Sequence, residues 1–296
     1  MDTSDHVLKV LHGVAALFHF IQFGYSEALV NTIFKDKSTF NLVNSVATRP
    51  GEVGVLRDNE IGHYQLSQLV PIFSLLSCVN HTWSLFDFKR YTTFVEQGYN
   101  PVRWAEYSIS SGLMLWVVAS LSGVINIQNL SFLVLSNLAL QFTGFSIEKD
   151  IGRSIRSTSE SQAEHLYQSG LRQEVIGFCI FAAQMIPIWI AFFTSAAQNE
   201  DEMPDFVWAI IFILTAFFIS FGVLSIVYLR GANRKLHGVG FKSMRQPDFK
   251  IIEIGYLILS FLSKTFLMNI VLFGTAQSRE YNPTANLEVS VETYPA

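Results

Sequence analysis

The sequence contains few charged residues and few cysteines. Of its 296 residues, 15% are charged and 50% are hydrophobic, with a mean hydropathy of +0.33, whereas soluble domains carry about 25% charged residues. This composition argues against a soluble enzyme and against a disordered chain. A nucleic-acid-binding protein would need a clustered basic surface, and the net charge of −4 excludes that class. Cys78 and Cys179 both lie in apolar blocks and are expected to be reduced rather than to form a disulfide scaffold.

The N-terminus lacks the features of a cleaved secretion signal. The segment MDTSDHVLK is not basic, and no small-residue cleavage site follows the first apolar block. We therefore expect the first apolar segment to remain in the protein as a helix.

Long apolar segments are the main feature that is present. A helix needs about 20 mostly apolar residues to cross a bilayer, and the chain contains seven such segments. The polar link at residues 126–129 separates the third from the fourth. The sequence thus predicts an all-α membrane protein with a seven-transmembrane helix bundle, whose spans A to G cover about residues 8–30, 66–87, 101–124, 128–147, 174–197, 206–229 and 251–276.

Lysine and arginine are distributed unevenly between the predicted loops. With seven spans, the N-terminus and the B–C, D–E and F–G loops share one side and carry 14 of the 20 Lys and Arg residues, against five on the other side. The positive-inside rule then places the N-terminus in the cytoplasm and the C-terminus outside the cell membrane, with lipid around the bundle. This orientation is the reverse of that of G-protein-coupled receptors.

The A–B connection, at about residues 31–65, is the only long loop. Residues 39–46 have β-like character, and the sequence Arg49-Pro-Gly-Glu52 indicates a turn. A small extracellular β-hairpin is one interpretation, and an irregular loop is the other. We expect the transmembrane domain to occupy residues 1–278, and the polar residues 279–296 to form a flexible extracellular tail.

Lys264 is the only Lys or Arg in the middle of a predicted span. A charge at this depth costs about 2.5–3.5 kcal/mol on insertion scales, and Lys264 is too far from either end of span G to reach a membrane surface easily. One interpretation is a structural ion pair between two helices. The other is an amine that forms a Schiff base, because burial favours the neutral and nucleophilic form of lysine.

Glu106 is the candidate anion for Lys264. Asn100 can cap span C and Pro101 suits its first turn, so Glu106 lies nearly two turns inside the helix. Arg103 is three residues earlier and shares its helix face. The alternative is that Glu106 is a helix-start carboxylate paired with Arg103 alone.

Other polar and aromatic side chains recur within the spans. The polar ones are expected to face inward, where hydrogen bonding between helices is the alternative to a role in a site, and they show no metal-ligand spacing. They are His12, His19, Gln22, Asn80, His81, Ser108, Ser110, Ser111, Asn137, Gln141, Gln184, Ser220 and Ser260. The aromatic ones either wall an elongated apolar pocket or contact lipid and fill the core. They are Trp104, Phe181, Trp189, Phe192, Phe193, Phe217, Phe218, Phe221, Phe261 and Phe266.

Four motifs, spread over nearly the whole chain, together resemble the heliorhodopsin family. They are Phe18-His-Phe-Ile-Gln22 in span A, Phe88-Lys-Arg-Tyr91 after span B, Arg103-Trp-Ala-Glu-Tyr-Ser-Ile-Ser-Ser111 in span C, and Ser260-Phe-Leu-Ser-Lys264 in span G. The resemblance implies a bundle of rhodopsin type with all-trans retinal on Lys264 as a protonated Schiff base and Glu106 as its counterion.

The resemblance also implies the surroundings of the chromophore. A polar cluster beside the Schiff base would contain His19, His81, Ser260, Ser111, Ser108 and Tyr107, with Arg103 next to Glu106 on the cytoplasmic side of span C. His81 is the nearest match to the second histidine of the family, although its spacing to the span C motif is about two residues shorter. Together with the positions above, the predicted retinal pocket contains Trp104, Asn137, Gln141, Trp189, Phe217, Phe218 and Phe261.

The expected function is a photosensory receptor, without enzymatic activity and without net ion pumping. The outer halves of spans C, D and F carry no mid-membrane carboxylate for a directional ion path. The alternative is a light-activated proton-conducting transporter, whose path would begin at Glu27, Glu148, Glu174 or Glu253. A third possibility is regulation of an unidentified cytoplasmic signalling partner through the basic F–G loop. The resemblance further implies a homodimer that is formed in part by the A–B hairpin.

Overall fold

The computed structural model describes residues 3–32, 39–47, 56–198, 203–237 and 246–277. Within these ranges the chain is mostly helical, with eight α-helices, one short 3-10 turn and two strands. The elements in chain order are α1 (Thr3–Thr32), β1 (Thr39–Ala47), β2 (Leu56–Gln65), the 3-10 turn Leu66–Gln68, α2 (Leu69–Phe86), α3 (Phe88–Glu96), α4 (Pro101–Leu121), α5 (Ile127–Arg156), α6 (Glu160–Gln198), α7 (Asp205–His237) and α8 (Gln246–Gln277).

Six of these helices are long and apolar enough to cross a membrane, so the protein is a multi-pass membrane protein. They are α1, α2 with its preceding turn, α5, α6, α7 and α8. Predicted span C corresponds to α4, whose 21 residues would reach about 32 Å. Its Arg103 and Glu106 lower its hydropathy. The count of seven spans and the orientation of the termini stay predictions.

The helices extend beyond several predicted spans. Span D was predicted to end at residue 147 and span E to begin at residue 174, whereas α5 continues to Arg156 and α6 begins at Glu160. Hydropathy marks only the apolar part of a helix, and these extensions carry charged residues. Most of the predicted D–E connection is therefore helical, and only residues 157–159 separate the two helices.

The predicted B–C loop also contains a helix. Helix α3 begins directly after Asp87, whose side chain accepts a hydrogen bond from the backbone N–H of Arg90. Tyr91 and Val95, four residues apart, are its buried positions. This spacing puts both on one face, so the short amphipathic helix packs against the bundle through them.

Strands β1 and β2 pair in antiparallel register, with an irregularity between Leu42 and Val43. The backbone N–H of Val43 donates to the carbonyl of Ile125 at 3.2 Å, and the Tyr64 hydroxyl is hydrogen-bonded to Ser120. The described strands agree with the β-hairpin interpretation rather than with an irregular loop. Its turn, at residues 48–55, lies outside the described residues, and its extracellular side stays a prediction.

The long helices form a closed ring. Each of α1, α2, α4, α5, α6, α7 and α8 contacts the next, and α8 contacts α1. Two apolar clusters fill the interior. One contains Phe73, Leu121 and Leu272 near the hairpin, and the other contains Leu8 and Tyr228 at the opposite end.

Buried polar residues lie between the two clusters, and the outer surface is apolar. The interior layer includes His19, Ser77, Glu106, Ser260 and Lys264. Large apolar side chains on the outside are more than half exposed, as lipid contact requires. Examples are Leu17, Phe20, Leu135, Phe142, Val175 and Ile190.

Candidate functional site

Lys264 and Glu106 form a buried ion pair between α8 and α4. Lys264 Nζ lies 2.6 Å from Glu106 Oε1, and the two residues are 3% and 8% exposed. Ser77 Oγ on α2 donates to the same carboxylate oxygen at 3.0 Å. Lys264 Nζ also lies 5.1 Å from the centre of the Tyr107 ring. A positive charge on this nitrogen is therefore stabilised by a carboxylate and an aromatic face.

The local sequence explains why α4 presents Glu106 at this depth. Asn100 caps the helix by accepting hydrogen bonds from the backbone N–H groups of Val102 and Arg103, and Pro101 stands in the first turn, as predicted. Arg103 bonds to carboxylates on other helices instead of to Glu106. The alternative in which Glu106 pairs with Arg103 alone is therefore wrong.

A cavity beside Lys264 is lined by residues of helices α4 to α8. Eight residues of the predicted site and pocket line it: Trp104, Tyr107, Ser111, Asn137, Gln141, Phe218, Ser260 and Lys264. Asn137 Nδ2 donates to Ser111 Oγ at 2.8 Å, and Gln141 Nε2 donates to Asn137 Oδ1 at 3.3 Å. These polar groups on the α4 and α5 walls satisfy one another, which leaves the rest of the lining mostly aliphatic and aromatic.

Eight other residues of the predicted site and pocket are not among the cavity-lining residues. They are Arg103, Glu106, His19, His81, Ser108, Trp189, Phe217 and Phe261. Trp189 donates to Thr215 at 3.3 Å, Phe217 contacts Phe266, and Phe261 contacts His19. Ser108 bonds within its own helix, to the carbonyl of Trp104 at 2.8 Å. Adjacent helical positions differ by about 100° in direction, so Phe218 faces the cavity while Phe217 does not. The sequence alone did not predict how each helix is rotated about its own axis.

Small residues on α5, α6 and α7 are a part of the cavity that the sequence reading missed. Gly144, Gly177 and Gly222 all line it. A Cβ on Gly144 would overlap the indole of Trp104, so this glycine lets the ring approach α5 closely. Isolated glycines within apolar helices were the available signal, since they often mark a close approach.

His19 and His81 lie together, as the predicted polar cluster requires, and a third histidine joins them. Their rings stack at 5.7 Å with an interplanar angle of 7°. His19 Nδ1 is 3.0 Å from Gln22 Oε1. His81 Nδ1 lies 2.9 Å from Nδ1 of His12, one heptad before His19 on α1.

Residues 8–276 match the family model described as Heliorhodopsin. The chain belongs to the heliorhodopsin family. The fold is similar to the crystal structure of a light-driven proton pump, LR (Mac), from Leptosphaeria maculans, with a TM-score of 0.56, 11% identity, and coverage of 94% of this chain and 97% of that chain. At that identity the likeness concerns the fold alone. A search of curated proteins gave no match.

A second buried ionic cluster in this heliorhodopsin lies one helical turn from Glu106. Arg103 bonds to Glu148 on α5 through Nη2 and to Glu253 on α8 through Nη1. Glu148 also accepts hydrogen bonds from Trp104 Nε1 at 2.7 Å and from the backbone N–H of Asn100. Glu253 accepts hydrogen bonds from Asn100 Nδ2 at 2.7 Å and from the Tyr91 hydroxyl at 3.3 Å.

A further carboxylate, Glu174 of α6, lines the cavity itself. It is 8% exposed and accepts a hydrogen bond from Ser225 Oγ of α7 at 2.6 Å. The predicted role of Glu174 was only that of a possible path entry near a helix end. The structure places it in the cavity wall, between two helices.

The chemistry of the cavity fits the chromophore that the sequence resemblance implied. A buried primary amine borders a mostly apolar space, so an aldehyde on a long apolar molecule could reach it and condense with it. Glu106 would then balance the positive charge of the linkage. Trp104, Tyr107 and Phe218 are among the aromatic groups of the lining that would hold such a molecule.

Proposed function

We propose that this heliorhodopsin is a light-sensing retinal protein. In the proposal, Lys264 carries all-trans retinal as a protonated Schiff base and Glu106 is the counterion. The observation that carries it is the buried contact of 2.6 Å between Lys264 Nζ and Glu106 Oε1 at the edge of a mostly apolar cavity. Retinal, when bound, supplies the absorption of visible light and an isomerisation.

The residues around the pair hold its charges in place. In a low-dielectric site a carboxylate at this distance strongly favours a proton on the lysine nitrogen. Ser77 fixes the carboxylate by its hydrogen bond, and Tyr107 turns its ring towards Nζ. A change in the position of the nitrogen would weaken its contacts with Glu106 and with Tyr107 together, which makes the pair a sensitive trigger for helix rearrangement.

Reconstitution with all-trans retinal tests the assignment of the lysine. The expressed parent is expected to gain a visible absorption band, and Lys264→Ala is expected to gain none. Lys149→Ala on α5 is the matched control, because Lys149 is outside the cavity lining and its loss should leave the band unchanged. A parent that stays colourless, or a Lys264→Ala variant that colours like the parent, contradicts the proposal.

We favour signalling over net pumping, because the outer halves of spans C, D and F carry no mid-membrane carboxylate for a directional ion path. A light-activated proton-conducting path is the second candidate, and one observation favours it: Glu148, Glu174 and Glu253 are all buried, and Glu174 lines the cavity. Photocurrents in patch-clamped cells decide between the two. Signalling predicts none, and conduction predicts currents that reverse with the pH gradient.

The orientation and the partners belong to the same proposal. The distribution of lysine and arginine supports a cytoplasmic N-terminus, and labelling of a cysteine introduced before α1 from each side of the membrane tests it.

We propose a homodimer with the β1–β2 hairpin in its contact, to be tested by the mass of the purified complex. A cytoplasmic signalling partner would bind the basic F–G loop, most of which, at residues 238–245, lies outside the described residues. Pull-down with and without that loop tests this.

A further inference from the structure

Glu174 is a buried carboxylate that the Lys264 site does not use. It lies on α6, is 8% exposed and lines the cavity, and its Oε2 accepts a hydrogen bond from Ser225 Oγ of α7 at 2.6 Å. Among the described residues, its other oxygen, Oε1, has no hydrogen-bond partner, and no cation forms an ion pair with it. A carboxylate in a mostly apolar cavity is costly while one of its acceptors stays unused.

We propose that Glu174 and Ser225 bind a hydroxyl group, so that the molecule on Lys264 is an all-trans retinal with a hydroxyl on its ring. The proposal rests on the proposed function for the bond to Lys264. It adds the class of retinal that the cavity selects, which the pair of Lys264 and Glu106 does not determine.

Glu174 and Ser225 lie far from Lys264 along the cavity. Ser225 follows Leu224, which packs against Gly255 of α8. Gly255 precedes Lys264 by nine residues, or about 14 Å along the helix axis. The lysine side chain covers part of this distance, since helical side chains lean towards the N-terminus of their helix. The remaining separation suits a molecule whose aldehyde and ring are at opposite ends of an extended polyene.

Glycines on α6 and α7 leave room for a ring beside these two residues. Gly177 is three residues after Glu174, Gly222 is three residues before Ser225, and both glycines line the cavity. A Cβ on Gly222 would be only 3.0 Å from the ring of Phe178, which also lines the cavity. The ring of a retinal would therefore meet two helix backbones and one aromatic face, with the carboxylate about one turn away.

The other carboxylates of the cytoplasmic-side cluster differ from Glu174. Glu148 and Glu253 both bond to Arg103 and accept hydrogen bonds from further donors, and neither of them lines the cavity. Of these three carboxylates, only Glu174 combines an unused acceptor with a place in the cavity wall. That combination is what a polar group on a bound molecule requires.

The chemistry of Glu174 selects a hydroxyl over other ring substituents. Its Oε1 can accept a hydrogen bond from a hydroxyl, and the hydroxyl can accept one in return if the acid carries a proton. A ring carbonyl can only accept, so a carboxylate would repel it. An unsubstituted ring would leave Oε1 unpaired. A site that is built to bond a hydroxyl discriminates against the analogue that lacks it, because buried polar groups then stay unpaired.

Competition between retinals in the dark tests the proposal on the full-length protein, purified without chromophore in lipid nanodiscs. Equal amounts of all-trans retinal and all-trans 4-hydroxyretinal are added, and the molecule on Lys264 is identified by mass after borohydride reduction. All-trans 3-hydroxyretinal is compared with retinal in the same way. The parent is expected to bind at least one hydroxylated form about tenfold more than retinal, as one hydrogen bond to a carboxylate allows.

A ring carbonyl provides the matched ligand. All-trans 4-oxoretinal has nearly the same size as 4-hydroxyretinal but no hydrogen to donate, so it should gain no advantage over retinal in the parent. Equal binding of retinal and of both hydroxylated forms would overturn the proposal. A preference for 4-oxoretinal as large as that for the hydroxylated forms would overturn it as well.

Glu174→Leu removes the acceptor. This variant should still gain colour with retinal, and it should bind retinal and the hydroxylated forms about equally. Glu160→Leu, at the exposed start of α6, is the matched control and should keep the preference of the parent. An undiminished preference in Glu174→Leu contradicts the proposal. If Glu174→Leu does not fold, the comparison of hydroxyl with ring carbonyl in the parent still decides.

The same measurements separate this proposal from the proposed function. If neither retinal nor a hydroxylated retinal colours the parent, the bond to Lys264 is refuted and both proposals fail. If retinal colours the parent and no hydroxylated form is preferred, the proposed function stands and only the role of Glu174 and Ser225 is refuted.

Discussion

Helix α4 carries two buried ionic sites that are three residues apart and built differently. At Glu106, one carboxylate meets one amine and receives one further hydrogen bond, from Ser77. At Arg103, one guanidinium meets two carboxylates, and four further donors complete them: two from Asn100, one from Trp104 and one from Tyr91. The first site adjoins the cavity through Lys264, and the second ties α4 to α5 and α8.

The difference separates a pair whose bonding can change from a cluster whose bonding is fixed. An amine with one anionic partner can change its bonding without leaving many buried groups unpaired. A guanidinium that satisfies two carboxylates cannot be removed in that way, because each carboxylate would keep its charge and lose its partner. The contrast explains how α4 can hold a changeable charge within the membrane layer while its N-terminal end stays fixed.

Removal of Arg103 should have the largest effect on stability. Arg103→Leu leaves two buried carboxylates without their cation, which we expect to cost about 3–5 kcal/mol of unfolding free energy. Unfolding in mixed detergent, followed by tryptophan fluorescence, measures this. Arg153→Leu, at an exposed position on α5, should stay within about 0.5 kcal/mol of the parent. Equal stabilities of the two variants would refute the structural role of the cluster.

Glu106→Gln should alter the colour far more than the fold. Without the carboxylate, the protonated linkage loses its compensating charge, so the visible band is expected to shift to the red. The band should also be lost on alkalinisation about 1–3 pH units earlier than in the parent. Glu148→Gln, in the Arg103 cluster, is the matched control and should move the band much less. A spectrum of Glu106→Gln that equals that of the parent would assign the counterion elsewhere.

The two sites also differ in how well the sequence predicted them. Lys264 and Glu106 stood out because a charge in an apolar segment is costly, and the cap at Asn100 fixed the depth of Glu106. The partners of Arg103 were missed, since Glu148 and Glu253 are 45 and 150 residues away. Which helices meet depends on tertiary packing, which no local pattern contains.

The sequence also predicts poorly which side chains of a single helix face the cavity. The polar positions Asn137 and Gln141 were predicted as pocket residues and line it, whereas Trp189 and Phe261 do not. Aromatic side chains suit both lipid and core, so composition does not reveal which way they face. The extensions of α5 and α6 escaped prediction for a related reason, because their charged turns carry no hydropathy signal.

A substitution in the β1–β2 hairpin, outside the membrane-spanning helices, should have a smaller effect on stability. Tyr64→Phe removes the hydroxyl that bonds Ser120 and should cost about 1 kcal/mol of stability. Burial raises the pKa of Tyr64 above its usual value of 10.0. The folded state therefore favours the neutral phenol. The contribution of Tyr64 to the free energy of unfolding is full below pH 10 and is lost as the pH rises through the higher folded-state pKa. If the difference in unfolding free energy between the parent and Tyr64→Phe became larger as the pH rises above 10, this account would be contradicted.

Ser77→Ala should give the smallest effect, with a sign opposite to that of Glu106→Gln. Loss of the hydrogen bond from Ser77 concentrates negative charge on the Glu106 carboxylate, which stabilises the ground-state cation and shifts the visible band slightly to the blue. Ser74→Ala, one turn away on α2, removes a contact with Met268 instead and should leave the band in place. A red shift in Ser77→Ala would mean that Ser77 acts on something other than the counterion.

Borohydride reduction of the illuminated, retinal-loaded protein, followed by peptide mapping, tests the central claim most directly. Reduction fixes a Schiff base as a stable amine, so the mass of one retinyl group should appear on the peptide that contains Lys264 and on no other lysine. A retinyl group on a different residue, or none on a protein that has gained colour, would contradict the assignment of Lys264.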